Sequence, residues 1–184
     1  MKKLAFYDIE IANDPILVKW DPRKLLFAVG GIVDSEGYEH TFEDVDEYIE
    51  KLNSYDYCIG FNNNRFDNAV ITNNSWKDLG FALNSLDMLE MIEKSTNSKF
   101  IVALNELSLA TISEGKTEGM TGDKAPQLWA DGHKGLVKEY CLQDCRLVKK
   151  LWEFGEKYGY VLIPPNKTGM CGSLYLKVPV KCFS

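Results

Sequence analysis

The amino-acid sequence predicts an α/β fold built on a mixed β-sheet, and three observations support this fold class. Candidate strands cluster near the N-terminus, strands and helices alternate in the middle, and long helical patterns follow. The chain has 184 residues, 45% hydrophobic and 26% charged, which is typical of a globular domain with a full core. We therefore expect one domain over residues 1–184, in which residues 160–184 form a C-terminal extension without a clear pattern.

The first predicted strand, Leu4–Ile11, contains residues that indicate chemistry. It is rich in β-branched and aromatic residues and has neither Gly nor Pro. Asp8 and Glu10 interrupt it, and because side chains alternate along a strand, both carboxylates leave the same face, about 7 Å apart along the chain. Burying two like charges is unfavourable, and a divalent cation between them, such as Mg²⁺ or Mn²⁺, offsets that cost. An edge strand with a solvated polar face is the alternative.

The next elements are predicted from turn residues and hydrophobic periodicity. Leu25–Val33 and Tyr38–Phe42 are expected to pair as a hairpin, because turn-forming residues separate them. Gly30 and Gly31 indicate a place where another part of the chain passes close to this hairpin. Further elements are expected at Val45–Leu52 (helix, capped by Asp44), Tyr55–Phe61 (strand), Phe66–Trp76 (helix), Phe81–Leu86 (strand), Asp87–Lys94 (helix), Lys99–Ile112 (amphipathic segment), Gln127–Ala130 (short helix), Lys134–Lys157 (longest helix) and Tyr158–Ile163 (apolar segment).

Two later segments contain acids that could join those of the first strand. Asp67 lies at the predicted start of a helix, where an acid is also a favourable cap. Tyr140 and Asp144 are four residues apart on the longest predicted helix and therefore share a face. Leu136 and Leu147 are expected on roughly the same face, which would turn Asp144 towards the core.

The combined pattern is more specific than its parts. Asp-x-Glu at Asp8–Glu10, Asn-x-x-x-Phe-Asp at Asn62–Asp67 and Tyr-x-x-x-Asp at Tyr140–Asp144 resemble the three motifs of the DEDD superfamily, the DnaQ-like 3′→5′ exonucleases. The residues of the third motif, Tyr-Cys-Leu-Gln-Asp-Cys, look most like those of the same motif in the proofreading domain of family B DNA polymerases. It is also similar to stand-alone and helicase-linked exonucleases. Glu139 stands where one branch of the superfamily has His, so the resemblance is to the tyrosine branch, DEDDy.

The resemblance implies a ribonuclease H-like fold, with a five-stranded mixed sheet and helices on both sides. It implies a metal-dependent 3′→5′ exonuclease that releases nucleoside monophosphates from single-stranded DNA ends by two-metal-ion hydrolysis. An exoribonuclease that trims RNA, and a catalytically silent nucleic-acid-binding or adaptor domain, are the alternatives. A polymerase, helicase or repair protein is the expected kind of partner.

The resemblance also implies roles for individual residues. Two divalent ions, Mg²⁺ or Mn²⁺, would be held by Asp8, Glu10, Asp67 and Asp144, while Tyr140 would orient the attacking water. The substrate strand would contact residues within or beside the motifs, namely Ile9, Ile11, Phe61, Asn62 and Phe66. Phe66 also suits the hydrophobic core.

Three other charged residues are expected to lie outside the site. Asp87 follows a predicted strand and precedes a helix, a position typical of a helix cap. Lys116 and Lys124 belong to a Gly-rich, charged segment, residues 114–124, that is expected to be a loop. Solvated side chains are the expectation for both lysines, and phosphate contacts are the alternative.

The composition argues against several other classes of protein. The net charge of −6 is unfavourable for a large, sequence-blind phosphate-binding surface, and no Gly-x-Gly-x-x-Gly loop is present. No apolar run approaches the roughly 18 residues of a membrane span, and the N-terminus does not resemble a signal peptide. The five cysteines include no Cys-x-x-Cys pair, so free thiols in a reducing, cytoplasmic environment are expected. A zinc site is the alternative, formed by Cys141, Cys145, Cys171 and Cys182.

Overall fold

A five-stranded mixed β-sheet lies at the centre of the fold in the computed structural model, which describes residues 2–96, 102–116, 121–168 and 176–179. The strands are β1 (Leu4–Ile11), β2 (Phe27–Asp34), β3 (Glu39–Phe42), β4 (Tyr57–Gly60) and β5 (Ser85–Asp87). They are arranged in the order β3-β2-β1-β4-β5. The pairs β3–β2 and β2–β1 are antiparallel, and the pairs β1–β4 and β4–β5 are parallel. The predicted five-stranded mixed sheet is therefore confirmed.

Eight helices and a small second sheet complete the described part of the chain. The helices are α1 (Val45–Leu52), α2 (Asp67–Asn74), α3 (Gly80–Leu83), α4 (Met88–Thr96), α5 (Leu104–Ile112), α6 (Ala125–Ala130), α7 (Lys134–Tyr158) and α8 (Pro165–Thr168), with a 3₁₀ turn at Pro22–Lys24. Strands β6 (Tyr160–Ile163) and β7 (Leu176–Pro179) pair antiparallel outside the main sheet. None of the described helices is both long and apolar enough to cross a bilayer.

Helices cover both faces of the main sheet. Side chains alternate along the central strand β1, and apolar side chains leave it on both faces. One face of β1 packs against α1, α2 and α3 through residues Ala5, Tyr7, Ile9 and Ile11. Phe6 leaves the other face and packs with residues of α4, α5, α7 and β6. Asp8 and Glu10 lie two and four residues after Phe6 and therefore on the same face of β1. Their carboxylates point to the side of the sheet that α7 covers.

The first and last residues of some helices and strands are as predicted, and those of others are not. β1 and α1 have the predicted bounds, and the Asp44 side chain caps α1 by accepting the N–H groups of residues 46 and 47. The strand predicted at Phe81–Leu86 is wrong over its first half, where α3 forms instead. Phe81 is apolar because it packs edge-on against Tyr7 in the core, and burial alone does not distinguish a strand from a helical turn.

Two adjacent glycines let helices approach both faces of β2 closely. A Cβ atom on Gly30 would lie 2.5 Å from the ring of Tyr48, whose hydroxyl is 3.1 Å from the carbonyl oxygens of Asp8 and Gly31. On the α7 side, a Cβ atom on Gly31 would lie 2.9 Å from the Sγ of Cys141. The close approach expected at this glycine pair is thus confirmed, and it brings α7 against the strand beside Asp8.

The glycine pair generates a stability prediction. Gly30→Ala should lower the free energy of unfolding by about 1–3 kcal/mol, because the buried Tyr48 ring must move away from the added methyl group. Gly135→Ala is the matched control: it lies in α7 with no neighbouring atom within 4 Å of an added Cβ. It should be neutral or stabilising by up to about 1 kcal/mol. Urea unfolding of both variants tests this, and equal effects of the two changes would contradict it.

Candidate active site

Three carboxylates from two elements meet at the centre of the site. Asp8 and Glu10 extend from β1 and Asp144 from α7, and one oxygen from each lies within 4.8 Å of the others. Glu10 and Asp144 are buried and Asp8 is partly buried. Asp144 lies more than a hundred positions after Asp8 and Glu10 in the sequence. The three carboxylates therefore meet only because the side chains of β1 alternate between its two faces and because α7 packs closely against β2.

A fourth carboxylate lies in the same cavity but in a different environment. Asp67 is buried at the first position of α2, and its Oδ1 accepts the backbone N–H of Ile9 at 3.2 Å. The predicted position of Asp67 at the start of a helix is thus confirmed, although Phe66 is the N-cap residue and Asp67 does not act as the cap. The bond to Ile9 ties the start of α2 to the strand that contains Asp8 and Glu10.

Burial disfavours the ionised forms of all four acids, and repulsion by neighbouring carboxylates adds to this at Asp8, Glu10 and Asp67. Burial raises the pKa of Asp8 and of Glu10 well above their usual values, and the charge of Asp144 raises both further. Burial also raises the pKa of Asp67 to about 7. The pKa of Asp144 is raised by burial, although Lys116 partly opposes that effect. A nearby cation would reverse these shifts, because it favours the charged form of each carboxylate.

The site therefore fits a hard divalent cation. Its candidate ligands are carboxylate oxygens, the donor type that Mg²⁺ and Mn²⁺ prefer. Asp144 adds a specific indication: its buried Oδ1 accepts no hydrogen bond from any residue that the structure describes. A buried carboxylate oxygen without a donor is unfavourable, and metal coordination would satisfy it.

Lys116 also reaches into the site, which sequence reasoning missed. Its ammonium group forms an ion pair with Asp144 and lies 2.8 Å from the hydroxyl oxygen of Tyr140. The side chain is only 21% exposed, so the expectation of a solvated loop lysine is wrong for this residue. It is correct for the exposed Lys124. Burial lowers the pKa of Lys116, but Asp144 and Tyr140 outweigh burial and raise it above the usual value, so the group stays charged.

Tyr140 lies beside the carboxylates as a protonated phenol. It is buried on α7, one turn before Asp144, which confirms that the two share a helix face. Burial, then the charge of Asp144, raises its pKa above the usual value. Leu136 does not share this buried face, since 57% of it is exposed, and Val137 occupies the core position instead. Leu136 is the third residue of α7, and the two residues before it in this first turn are exposed as well.

All ten predicted site residues line one cavity of about 780 Å³ at the carboxyl ends of β1 and β4. They are Asp8, Ile9, Glu10, Ile11, Phe61, Asn62, Phe66, Asp67, Tyr140 and Asp144. Phe66 also packs against the core, which confirms that expectation, while its contact with a substrate stays a prediction. Twelve further residues line the cavity without having been predicted as site residues, and four of them are aromatic or cationic: Trp20, Arg65, Lys116 and Lys167. Arg65 lies inside the second motif, and Trp20 is an isolated aromatic residue, so these two could have been indicated by the sequence. Lys116 and Lys167 lie in contexts without a periodic pattern.

Asp87 supports the site without lining the cavity. Its carboxylate accepts the N–H of Leu89 at 3.0 Å, which caps α4 as expected. It also accepts the N–H groups of Asn62 at 2.9 Å and Asn64 at 3.1 Å. These bonds hold the loop after β4, in which Asn62 has a left-handed φ of 62°. Asn tolerates that conformation better than most residues.

The cysteine expectation is confirmed where the structure describes it. Cys58, Cys141 and Cys145 are buried free thiols. Cys171 and Cys182, which the zinc alternative requires, lie outside the described residues.

Comparison with solved structures confirms the predicted ribonuclease H-like fold. The chain superposes on the family B DNA polymerase of the hyperthermophilic archaeon Pyrobaculum calidifontis with a TM-score of 0.64 and 19% sequence identity. The match covers 85% of this chain and 25% of the polymerase, so the chain spans about a quarter of that protein's length. No family model and no curated protein sequence matches the chain. At this identity the likeness shows the fold and leaves the activity to be argued from the site.

The acid cluster generates a pH prediction for the metal-free protein. Asp67 has a folded-state pKa of about 7, whereas an unfolded chain gives about 4. The folded state therefore holds a proton that the unfolded state has lost, and the stability from this group falls as pH rises from about 4 to about 7. We expect wild type to lose roughly 1–3 kcal/mol more than Asp67→Asn between pH 5 and 7 in chelator. Urea unfolding measures the difference, and parallel pH profiles for the two proteins would contradict it.

Lys116 generates a second prediction, on metal binding. Lys116→Met should destabilise the metal-free protein at pH 7 by roughly 1–3 kcal/mol, because Asp144 loses its buried counter-charge. The same variant should be stabilised more than wild type by Mn²⁺, since no internal cation competes for the carboxylates. Lys124→Met, in the exposed part of the same segment, is the matched control. Thermal unfolding with Mn²⁺ or chelator checks this, and an unchanged Mn²⁺ effect in Lys116→Met would refute it.

Proposed function

We propose that this chain is a metal-dependent 3′→5′ exonuclease that releases nucleoside monophosphates from single-stranded DNA ends. One observation carries the proposal: the carboxylates of Asp8, Glu10 and Asp144 converge in a cavity that Asp67 and Tyr140 also line. The ribonuclease H-like fold supports it, as does the similarity to a polymerase whose substrate is DNA. The order of the three motifs along the chain resembles that of DEDDy exonucleases.

The proposed metal ligands are Asp8, Glu10, Asp67 and Asp144, which would hold two ions, Mg²⁺ or Mn²⁺. Such ions would supply Lewis-acid stabilisation of the phosphoryl charge and a lowered pKa for a bound water. The chain's own contribution is the placement of the carboxylates. Asp67 is oriented by the N–H of Ile9, and the backbone carbonyl of Asp8 lies near the Tyr48 hydroxyl and the Cys141 thiol. These contacts restrict where the carboxylates can move.

Tyr140 and Lys116 are proposed to orient the attacking water. An ammonium group has three donors and no acceptor, so the Tyr140 oxygen accepts from Lys116. The phenol proton is then left to point elsewhere, towards a water or a phosphate oxygen in the cavity. Because burial raises the pKa of Tyr140, the phenol stays protonated at neutral pH and acts as a donor rather than as a base.

The substrate strand is proposed to contact Ile9, Ile11, Phe61, Asn62 and Phe66, which all line the cavity. DNA is the first choice of substrate because the motifs resemble polymerase proofreading domains, and RNA is the second. We propose that the protein acts in a reducing compartment such as the cytoplasm, where buried free thiols like Cys58, Cys141 and Cys145 are typical. A polymerase, helicase or repair protein is the proposed kind of partner.

One observation favours a second candidate, a nucleic-acid-binding or adaptor domain without activity. The ammonium group of Lys116 already pairs with Asp144 and partly offsets the charge of the acid cluster. A chain in which this lysine replaced the metal permanently would keep the fold and lose hydrolysis. The two candidates differ in whether Mn²⁺ stabilises the protein and supports product formation.

A degradation assay separates the candidates. Single-stranded DNA and RNA, labelled at the 5′ end, are incubated with the chain and Mn²⁺, Mg²⁺ or chelator, beside Asp8→Ala. The proposed exonuclease gives a metal-dependent ladder that shortens from the 3′ end and is absent in the variant, and the better substrate identifies the sugar preference. Strand binding with no ladder and no Mn²⁺ stabilisation would favour the silent domain.

The proposal predicts a large effect of a small change on α7. Asp144→Asn keeps the side-chain shape but removes a charge, and it should reduce nuclease activity at least about a hundredfold. Glu153→Gln is the matched control, an exposed acid on the same helix, and it should retain wild-type activity. Initial rates on labelled single strands measure both variants. Comparable activity for the two would refute a metal-binding role for Asp144.

A further inference from the structure

Trp20 lies at the active-site cavity although it belongs to none of the three motifs. It is in the loop that follows β1, lines the same cavity as Asp8 and Tyr140, and is 54% exposed. Because β1 and β4 are parallel neighbours, the loop containing Trp20 and the loop containing Phe66 leave the sheet at the same edge. In open α/β sheets, ligands bind at that carboxyl-terminal edge.

The loop that contains Trp20 is held at its base. The N–H of Ala12 donates to the carbonyl oxygen of Leu26 at 2.8 Å, which closes the loop. The Asn13 side chain donates to the carbonyl of Lys24 and accepts the N–H of Leu26, at 3.0 and 2.7 Å. From α2, the Asn74 side chain donates to the carbonyl of Leu25 at 2.9 Å. These bonds fix the ends of the loop before any ligand binds.

The backbone around Trp20 is in an unfavourable conformation. Lys19 and Trp20 have φ values of 55° and 56°, in the left-handed region that residues other than Gly rarely adopt. The N–H of Trp20 donates to the carbonyl of Pro15 at 2.8 Å, which holds this turn. Burial of the indole does not offset the strain, since about half of the side chain is exposed. No ring pair formed by the described residues includes Trp20.

The charges around the cavity leave little attraction for phosphates. Arg65 forms an ion pair with Glu93, and Lys167 forms one with Glu106, so both cations are already neutralised by acids of the same wall. The chain as a whole has a net charge of −6. Phosphate contacts from these two side chains therefore contribute less than they do in a basic protein, and stacking of bases on aromatic rings contributes correspondingly more to affinity.

We propose that Trp20 is a stacking surface for a nucleobase near the 3′ end of the strand whose terminal phosphodiester lies at the carboxylates. This inference rests on the proposed exonuclease function and adds a substrate-binding residue to it. The indole offers a flat, half-exposed π surface on a tethered loop, and every base has a face that can stack on it. Trp20 thus binds single strands without regard to sequence and favours unpaired ends, whose bases are free to leave the stack of a duplex.

The test compares substitutions in the protein with missing bases in the strand. Dissociation constants are measured for a 5′-labelled oligothymidylate and for versions with an abasic site at each of the last three positions. Ca²⁺ replaces Mg²⁺, and product analysis verifies that the strand stays intact. The proteins are wild type, Trp20→Ala, Trp20→Phe and Trp76→Ala. Trp76 is fully exposed and does not line the cavity, so its replacement is the matched control.

We expect Trp20→Ala to raise the dissociation constant for the intact strand about tenfold. Trp20→Phe should have a smaller effect, and Trp76→Ala none. One abasic position should weaken binding to wild type by about the same factor, and that loss should disappear in Trp20→Ala because the stacking partner is already missing. If Trp20→Ala does not fold, Trp20→Phe decides: the loss from that abasic position should be smaller in Trp20→Phe than in wild type, and an equal loss would contradict the proposal.

Two different failures are distinguishable. If wild type binds and degrades single strands while Trp20→Ala matches it, the stacking role is wrong and the exonuclease function stands. The same holds if Trp20→Ala weakens intact and abasic strands equally, which indicates a structural role only. If wild type neither binds nor degrades single strands, the proposed function is wrong and the role of Trp20 fails with it.

Discussion

Repulsion among buried carboxylates is the constraint on which the rest of this structure depends. Three acids converge within 4.8 Å in a cavity, where burial and their mutual charge disfavour ionisation. The fold provides only partial compensation, through the ammonium of Lys116, and it leaves one oxygen of Asp144 without a hydrogen bond among the described residues. An arrangement that is unfavourable by itself persists where a ligand or a function compensates for it. A divalent cation meets this requirement most directly.

The backbone around the acids is arranged so that the repulsion does not push the elements apart. Gly30 and Gly31 have no side chains, so Tyr48 of α1 and Cys141 of α7 approach β2 from opposite faces. Both side chains reach the carbonyl oxygen of Asp8, at 3.1 and 3.4 Å. The packing of the core therefore also sets the geometry of the site, and a change in either helix contact would displace the strand that carries Asp8 and Glu10.

The sequence by itself determined the features that follow from the geometry of a single element. Alternation along β1 places Asp8 and Glu10 on one face, and the four-residue spacing on α7 places Tyr140 beside Asp144. The bounds of β1 and α1 were predictable because apolar residues, a capping acid and turn residues coincide there. The five-stranded sheet and the convergence of the three motifs were expected from the resemblance.

Only the tertiary structure decided which parts of distant loops meet the acids. Lys116 and Trp20 lie in segments without periodicity, so their positions depend on long-range contacts that no local pattern encodes. Phe81 shows the converse case, in which a strand-like apolar residue is buried in a helical turn. Periodicity specifies the direction of a side chain relative to its own helix or strand. The packing of helices and loops around the sheet specifies its neighbours, and the neighbours determine the chemistry of the site.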